Sequence, residues 1–359
     1  MVSTVIPFGP QHPVLPEPVH FKLKIEDEKV VDAIPAVGFV HRGLECLVAK
    51  KDFVQMTQVV ERVCGICSAM HGMCYCMGIE EMMGIEIPKK AAFLRTVWTE
   101  LHRIHSHLLW FGLYADAFGF ESLFMQFWKI REKIMDINEA TAGSRVIISV
   151  NVIGGVKRDI SPEHRQWILS TLDEVEEALR DLEKVVYEDY TIRKRTVGIG
   201  VLSKEKAYEL GASGPMARGS GIDIDARSLG YAAFPDLDWE PIVEYGGDCF
   251  ARAKVRFREM LQSIGLVRQA FQKMPRDEEI AVKVTGRPEG EVITRVEQPR
   301  GECLYYLKGN GSKNLDRCRI RTPSFANFPP IMSMLVGCRL ADVPVIILSM
   351  DPCISCTER

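Results

Sequence analysis

Glu61-Arg62-Val63-Cys64-Gly65-Ile66-Cys67-Ser68-Ala69-Met70-His71-Gly72 carries one Cys-x-x-Cys pair. Asp351-Pro352-Cys353-Ile354-Ser355-Cys356-Thr357-Glu358-Arg359 carries a second, at the far end of the 359-residue sequence. Four thiolates in two pairs complete a tetrahedral site for a soft metal. If one centre uses both pairs, the fold must bring residue 356 back beside residue 64. A single pair is a weak signal, open to redox, zinc and iron–sulfur readings. A four-cysteine zinc ribbon keeps its pairs roughly 15–20 residues apart, whereas here most of the chain intervenes. A disulfide oxidoreductase needs one pair in a βαβ setting, which is absent.

Composition narrows the field. The formal charge is −3 and the pI about 6.3, so no basic excess attracts nucleic acid. Eleven cysteines are many. The N-terminal MVSTVIPFGPQHP has neither a basic nor an apolar signal region, so reduced thiols and metal chemistry are expected rather than disulfides. No segment supplies the roughly 20 apolar residues of a membrane span. The nearest, 108–120, is short and contains Asp116.

The expected fold class is α+β, mainly α with a smaller β part, as one domain over 1–359. Residues 1–50 form an N-terminal arm and β region, 51–278 a helical core, and 279–359 β segments with the C-terminal metal motif. Five prolines in 1–18 predict an extended, irregular arm. Alternation over His20–Ile25, a turn at Asp27-Glu28-Lys29 and a return over Val30–Val37 predict a hairpin. Apolar residues at 94, 97, 98, 101, 104, 108 and 111 predict a helix over Lys89–Ala117. Further helices are predicted over Ser122–Thr141, from the Ser161-Pro162 cap to Tyr187, and over Asp248–Lys273 before Pro275. Four long helices suggest a central bundle. The Gly-, Asp- and Arg-rich segment 211–230 reads as a structured loop, and 279–308 as strands.

The flanks of the two pairs resemble the nickel-binding motifs R-x-C-G-x-C-x-x-x-H and D-P-C-x-x-C of the NiFe hydrogenase large subunit. His41-Arg42-Gly43-Leu44-Glu45 and GASGPMARGSGIDIDAR resemble its group 4, energy-converting (Ech-type) membrane-bound branch, which is related to the 49-kDa subunit of complex I. This resemblance implies a large-subunit-like fold and reversible, heterolytic H2 cleavage or proton reduction. It implies a binuclear centre of Ni and an Fe(CN)2(CO) unit. On that pattern Cys64 and Cys353 are terminal on nickel, while Cys67 and Cys356 bridge to iron. Cys353 is also the implied thiolate base.

The same resemblance assigns further roles. Arg300, in Pro299-Arg300-Gly301, would overhang the centre, oriented by Asp351 and Asp116. Ser324, in Thr322-Pro323-Ser324, would hydrogen-bond a cyanide, and His71 a bridging sulfur. Proton exit falls to Glu17, with Glu45 as runner-up. Many family members end in a histidine that ligates magnesium or iron. Here the position is Arg359, which cannot ligate a cation, so a third metal is not expected and a guanidinium stands in its place. The family's maturation protease cuts at this point, which fits a processed chain or a gene without an extension.

Electrons need an acceptor, and no further cysteine set has iron–sulfur spacing. The resemblance therefore implies a small subunit with a 4Fe–4S cluster, other hydrophilic and integral membrane subunits, and ferredoxin indirectly. It places the chain on the cytoplasmic side of the membrane. Cys46, Cys74, Cys76, Cys249, Cys303, Cys318 and Cys338 read as buried small hydrophobes. His102, His105 and His107 read as polar packing or proton-network members, and 193–195 and 252–258 as solvated or partner-facing basic stretches. Two rivals remain at this level: a complex I-like quinone-site subunit, which would lack the four ligand cysteines, and a four-cysteine zinc scaffold.

Overall fold

The computed structural model describes residues 3–276 and 278–359. It combines α-helices with antiparallel sheets, as the patterning requires. The predicted hairpin is β2 (His20–Glu26) and β3 (Lys29–Ala36). Its buried Phe21, Leu23 and Ile25 alternate with outward-facing Lys22 and Lys24. The arm departs from expectation: β1 (Thr4–Phe8) pairs antiparallel with β2. Pro7 is tolerated there because, among the described residues, β1 is the edge strand of its sheet.

The helical part follows the periodicity. After the short α1 (Phe53–Glu61) and α2 (Ser68–Met83) come α3 (Lys89–Asp116), α4 (Glu121–Ala142), α5 (Pro162–Glu188) and α6 (Cys249–Lys273). The Ser161 hydroxyl accepts the His164 N–H at the start of α5, and Asp248 accepts from Ala251 at the start of α6. α3 packs against α4 and α6, and α5 packs against α4 and α6.

Residues 279–308 form strands only in part. Over 279–288 there is one isolated bridge, Ala281 to Gly155. The ladder is β4 (Glu289–Gln298), β5 (Gly301–Asn310) and an unexpected third strand, β6 (Arg317–Arg321). This sheet and α1 enclose α2, which is buried on nearly every side. The first cysteine pair thus leads into a largely buried helix. The last helix, α7 (Ile354–Glu358), carries the second pair back to it.

The basic stretch 252–258 is not solvated as a whole. Arg252 and Arg256 are fully buried, while Arg258 is exposed. Arg252 donates to the carbonyls of Gly247 and Gly200 and to Ser349, and Arg256 to that of Met350. The Arg256 guanidinium also lies 4.4 Å from the Trp110 ring centroid. Cys46 is exposed and Cys338 half-buried, so only the other five non-motif cysteines match the expected buried class.

Candidate metal centre

The four motif cysteines converge. Cys64 Sγ lies 3.3 Å from Cys353 Sγ, and Cys67 Sγ lies 3.5 Å from Cys356 Sγ. The sulfurs of Cys64, Cys67 and Cys356 all fall within 4.8 Å of one another. Sulfurs held at about 2.3 Å from one tetrahedral ion lie about 3.8 Å apart, so the spacing fits a soft metal. All four side chains are buried. Hydrogen bonds from Cys353, Cys356 and Cys67 hold the Cys64 thiol well below its ordinary range. By contrast, burial pushes Cys74 up to about 12, which leaves it an inert thiol.

Local structure explains the convergence. Cys67 precedes α2, so its pair sits at the N-terminal end of that helix. Cys353 caps α7, its Sγ accepting the Cys356 N–H at 3.3 Å. The terminal segment is tied down by residues 40–45. Glu358 accepts from Val40 N at 2.6 Å, its carbonyl meets His41 Nδ1 at 2.5 Å, and the Arg359 carbonyl accepts from Leu44 N. Arg42 donates to the carbonyls of Val63 and Ser355, bridging the two motifs.

Arg300 stands beside this cluster, 3% exposed. Its Nη2 donates to Asp351 Oδ1 at 2.8 Å and its Nε to the Asp351 carbonyl at 2.9 Å. Burial works against its charge, but Asp351 and the cysteines outweigh that and keep it ionised. Asp351 adopts a left-handed backbone (φ 62°), a strained conformation that the two Arg300 bonds hold in place. The turn bearing Arg300 fits tightly against the 211–230 loop. A Cβ on Gly301 (φ 129°) would lie 2.4 Å from Ser213 Oγ, so no larger residue fits there.

Asp116 is not part of this arrangement. It is exposed at the C-terminal end of α3. The α3 residue that reaches the guanidinium is Ser106, whose Oγ lies 3.4 Å from Nη1. Ten residues of helix separate the two, about 15 Å along the axis.

The other expected residues do gather. His71 Nε2 lies 3.4 Å from Cys356 Sγ, and its Nδ1 lies 2.7 Å from the Tyr305 hydroxyl. Burial pulls the His71 pKa down to about 4, so the ring is neutral. Tyr305, on β5, carries no motif signal in the sequence; its place between Cys303 and Leu307 on the buried face of the strand is seen only in the structure. Ser324 Oγ accepts the Cys353 N–H at 3.1 Å. Glu17 accepts from Ile354 N at 2.5 Å and Ser355 N at 3.0 Å, and also bonds the Ser355 hydroxyl. Glu45 is engaged elsewhere, pairing with Arg319 at 2.7 Å and Arg359 at 3.0 Å. Burial would raise its pKa, but these cations and the Ile320 N–H lower it.

The nearby histidines on α3 are buried. The rings of His102 and His105 lie 5.6 Å apart, and His107 Nε2 lies 2.8 Å from Glu259 Oε2. Burial lowers all three pKa values.

The family profile described as nickel-dependent hydrogenase matches residues 42–115. That of the respiratory-chain NADH dehydrogenase 49 Kd subunit matches 117–287 and 279–359. The carbon monoxide-induced hydrogenase of Rhodospirillum rubrum is 41% identical, covering 100% of both chains. The membrane-bound hydrogenase subunit alpha of Pyrococcus furiosus is 38% identical, covering 99% of this chain and 87% of that one. The chain belongs to the group 4 NiFe hydrogenase large-subunit family.

Membership extends to the fold. A chain in the solved structure of a membrane-bound sulfane sulfur reductase, an archaeal respiratory membrane complex, superposes with a TM-score of 0.95. It is 31% identical and covers 99% of this chain and 98% of that one. As a group 4 large subunit, the chain is the catalytic subunit of a hydrogenase, an oxidoreductase acting on H2 with a nickel centre. Among the described residues, no helix is long and apolar enough to cross a membrane.

Proposed function

We propose that the four sulfurs hold nickel, with Cys67 and Cys356 shared with an Fe(CN)2(CO) unit and Cys64 and Cys353 terminal. The observation that carries this reading is the closure of both Cys-x-x-Cys pairs into one buried cluster. The unequal roles rest on the family motifs, since Cys64 lies against Cys67 and Cys356 as well as Cys353. When bound, such a centre supplies H2 binding and two-electron redox chemistry.

The chain's own groups then handle charge and protons. Arg300 places a fixed cation beside the cluster, and Asp351 orients it. His71, neutral and held by Tyr305, donates its Nε2–H towards Cys356 and lowers that sulfur's basicity. Ser324, bound to the Cys353 N–H, would be free to offer its hydroxyl proton to a ligand of the iron. With the centre bound, Cys353 would take up each proton in turn as H2 is converted into two protons and two electrons. Glu17, half-buried and bonded to the Ile354 N–H that follows Cys353, passes it towards solvent. Glu17→Gln should cut H2–D2O exchange by about 100-fold while nickel content stays at the wild-type level. An unchanged exchange rate would remove Glu17 from the route.

The electrons leave through a partner small subunit with a 4Fe–4S cluster, and onwards to or from ferredoxin. Integral membrane subunits couple this flow to ion translocation, with this chain docked on the cytoplasmic side. Relatives that are membrane-bound respiratory complexes support such an assembly. Infrared spectroscopy and elemental analysis of the anaerobically purified complex test the centre. Bands from metal-bound CO and cyanide, with nickel near one per chain, are expected. Zinc in place of nickel, or no such bands, would refute it.

A further inference from the structure

Glu61, the last residue of α1, lies three residues before Cys64 and is fully buried. Among the described residues neither of its carboxylate oxygens has a partner at full hydrogen-bond geometry, the Ser149 hydroxyl being the donor that comes near. An ionised carboxylate cannot be held dry and unpaired, because its desolvation is too costly. Two nearby residues present the same deficit. Thr57, one turn earlier on α1, has a buried hydroxyl with no partner at full hydrogen-bond geometry among the described residues, the Cys76 thiol being near it. Asn151 spends its amide N–H on the Ala69 carbonyl at 2.9 Å, and its Oδ1 is also unpartnered. The segment bearing Asn151 packs against both α1 and α2. Glycine at position 72 makes room: a Cβ there would lie 2.6 Å from Glu61 Oε1. Gly72 directly follows His71, so the carboxyl sits against the back of the helix that serves the cluster.

We propose that Glu61 is a proton-holding carboxyl, hydrated by internal water shared with Thr57 and Asn151, that exchanges protons with the metal centre during turnover. A polar, enclosed space with several unpaired acceptors is the setting in which buried water is retained. The charged and titratable groups that face Glu61 are few. They are Arg62 beside it, Lys157 beyond the 155–156 strand, and Cys76 on α2, with the half-buried Ser149 hydroxyl nearby. Burial dominates, raising the Glu61 pKa to about 7, where a carboxyl both takes and gives protons at neutral pH. Arg62 and Lys157 are exposed, so the pocket lies close to solvent on the α1 side. Glu17 approaches the cluster from α7, which makes Glu61 a separate store.

The test uses the intact complex. An infrared difference spectrum between about pH 5 and about pH 9 should show a carboxylic acid C=O band that shifts in D2O. That band should be missing from Glu61→Gln and from the apolar variant Glu61→Met, and shifted but present in Thr57→Val. A band unaltered in all three variants overturns the proposal. The exchange arm rests on the nickel–iron reading. Glu61→Gln with wild-type nickel content should lose H2–D2O exchange about tenfold or more, and an unchanged rate overturns the role in turnover. The infrared arm needs no metal, so its outcome is independent of that reading.

Discussion

Cys67→Ser should abolish H2 turnover and leave the purified chain with little nickel. Serine is nearly isosteric with cysteine, but its hydroxyl is a hard, weakly acidic donor where a soft thiolate is needed. Cys67 is fully buried against Cys356, 3.5 Å away, so no water or neighbouring side chain can take its place. The expected result is a loss of turnover beyond detection, with metal-bound CO and cyanide bands absent. The secondary structure should persist, at lower overall stability, because α2 is held on its other faces by α1, α3, β4 and β5. Circular dichroism of the variant checks that. A variant that retains both nickel and activity would show that Cys67 is not a ligand.

Arg300→Lys should lower turnover by about 100-fold without loss of nickel. Lysine keeps the charge but not the planar fork that serves the Asp351 carboxylate and carbonyl together. A single ammonium cannot hold the strained Asp351 backbone and face the cluster in one fixed geometry. Removing one pre-oriented electrostatic partner from an active site costs on the order of 100- to 1,000-fold in rate. The Lys variant avoids the larger folding penalty of an apolar replacement, which would leave Asp351 buried and unpaired. Steady-state H2 oxidation, compared with nickel content and infrared bands, separates these effects. A change below about threefold would make Arg300 structural.

These residues differ in how plainly the sequence announces them. The cysteine pairs and His71 are legible because fixed spacing on a turn and a helix start fixes which atoms share one space. The long helices are legible from their apolar period and from Ser161 and Asp248 at their starts. Asp116 misled because an acidic residue near a helix end carries no record of which turn faces the centre. Ser106, a less conspicuous residue nearly three turns earlier, is the one that reaches Arg300. The buried Arg252 and Arg256 misled for a related reason. Charge alone does not reveal the backbone carbonyls and the Trp110 face that satisfy them. β1 hid behind its prolines, and β6 behind three arginines alternating with Cys318 and Ile320.

The sulfur cluster has a mechanical meaning besides its chemistry. Each cross-chain sulfur contact joins residues 289 positions apart. A metal bound by all four cysteines therefore acts as a cross-link that turns most of the chain into one closed ring. By the entropy of ring closure, such a link disfavours the unfolded chain by about 6 kcal/mol. The reactive centre and the clasp that keeps the polypeptide shut are the same four atoms, so losing the metal loosens the whole molecule, not the site alone.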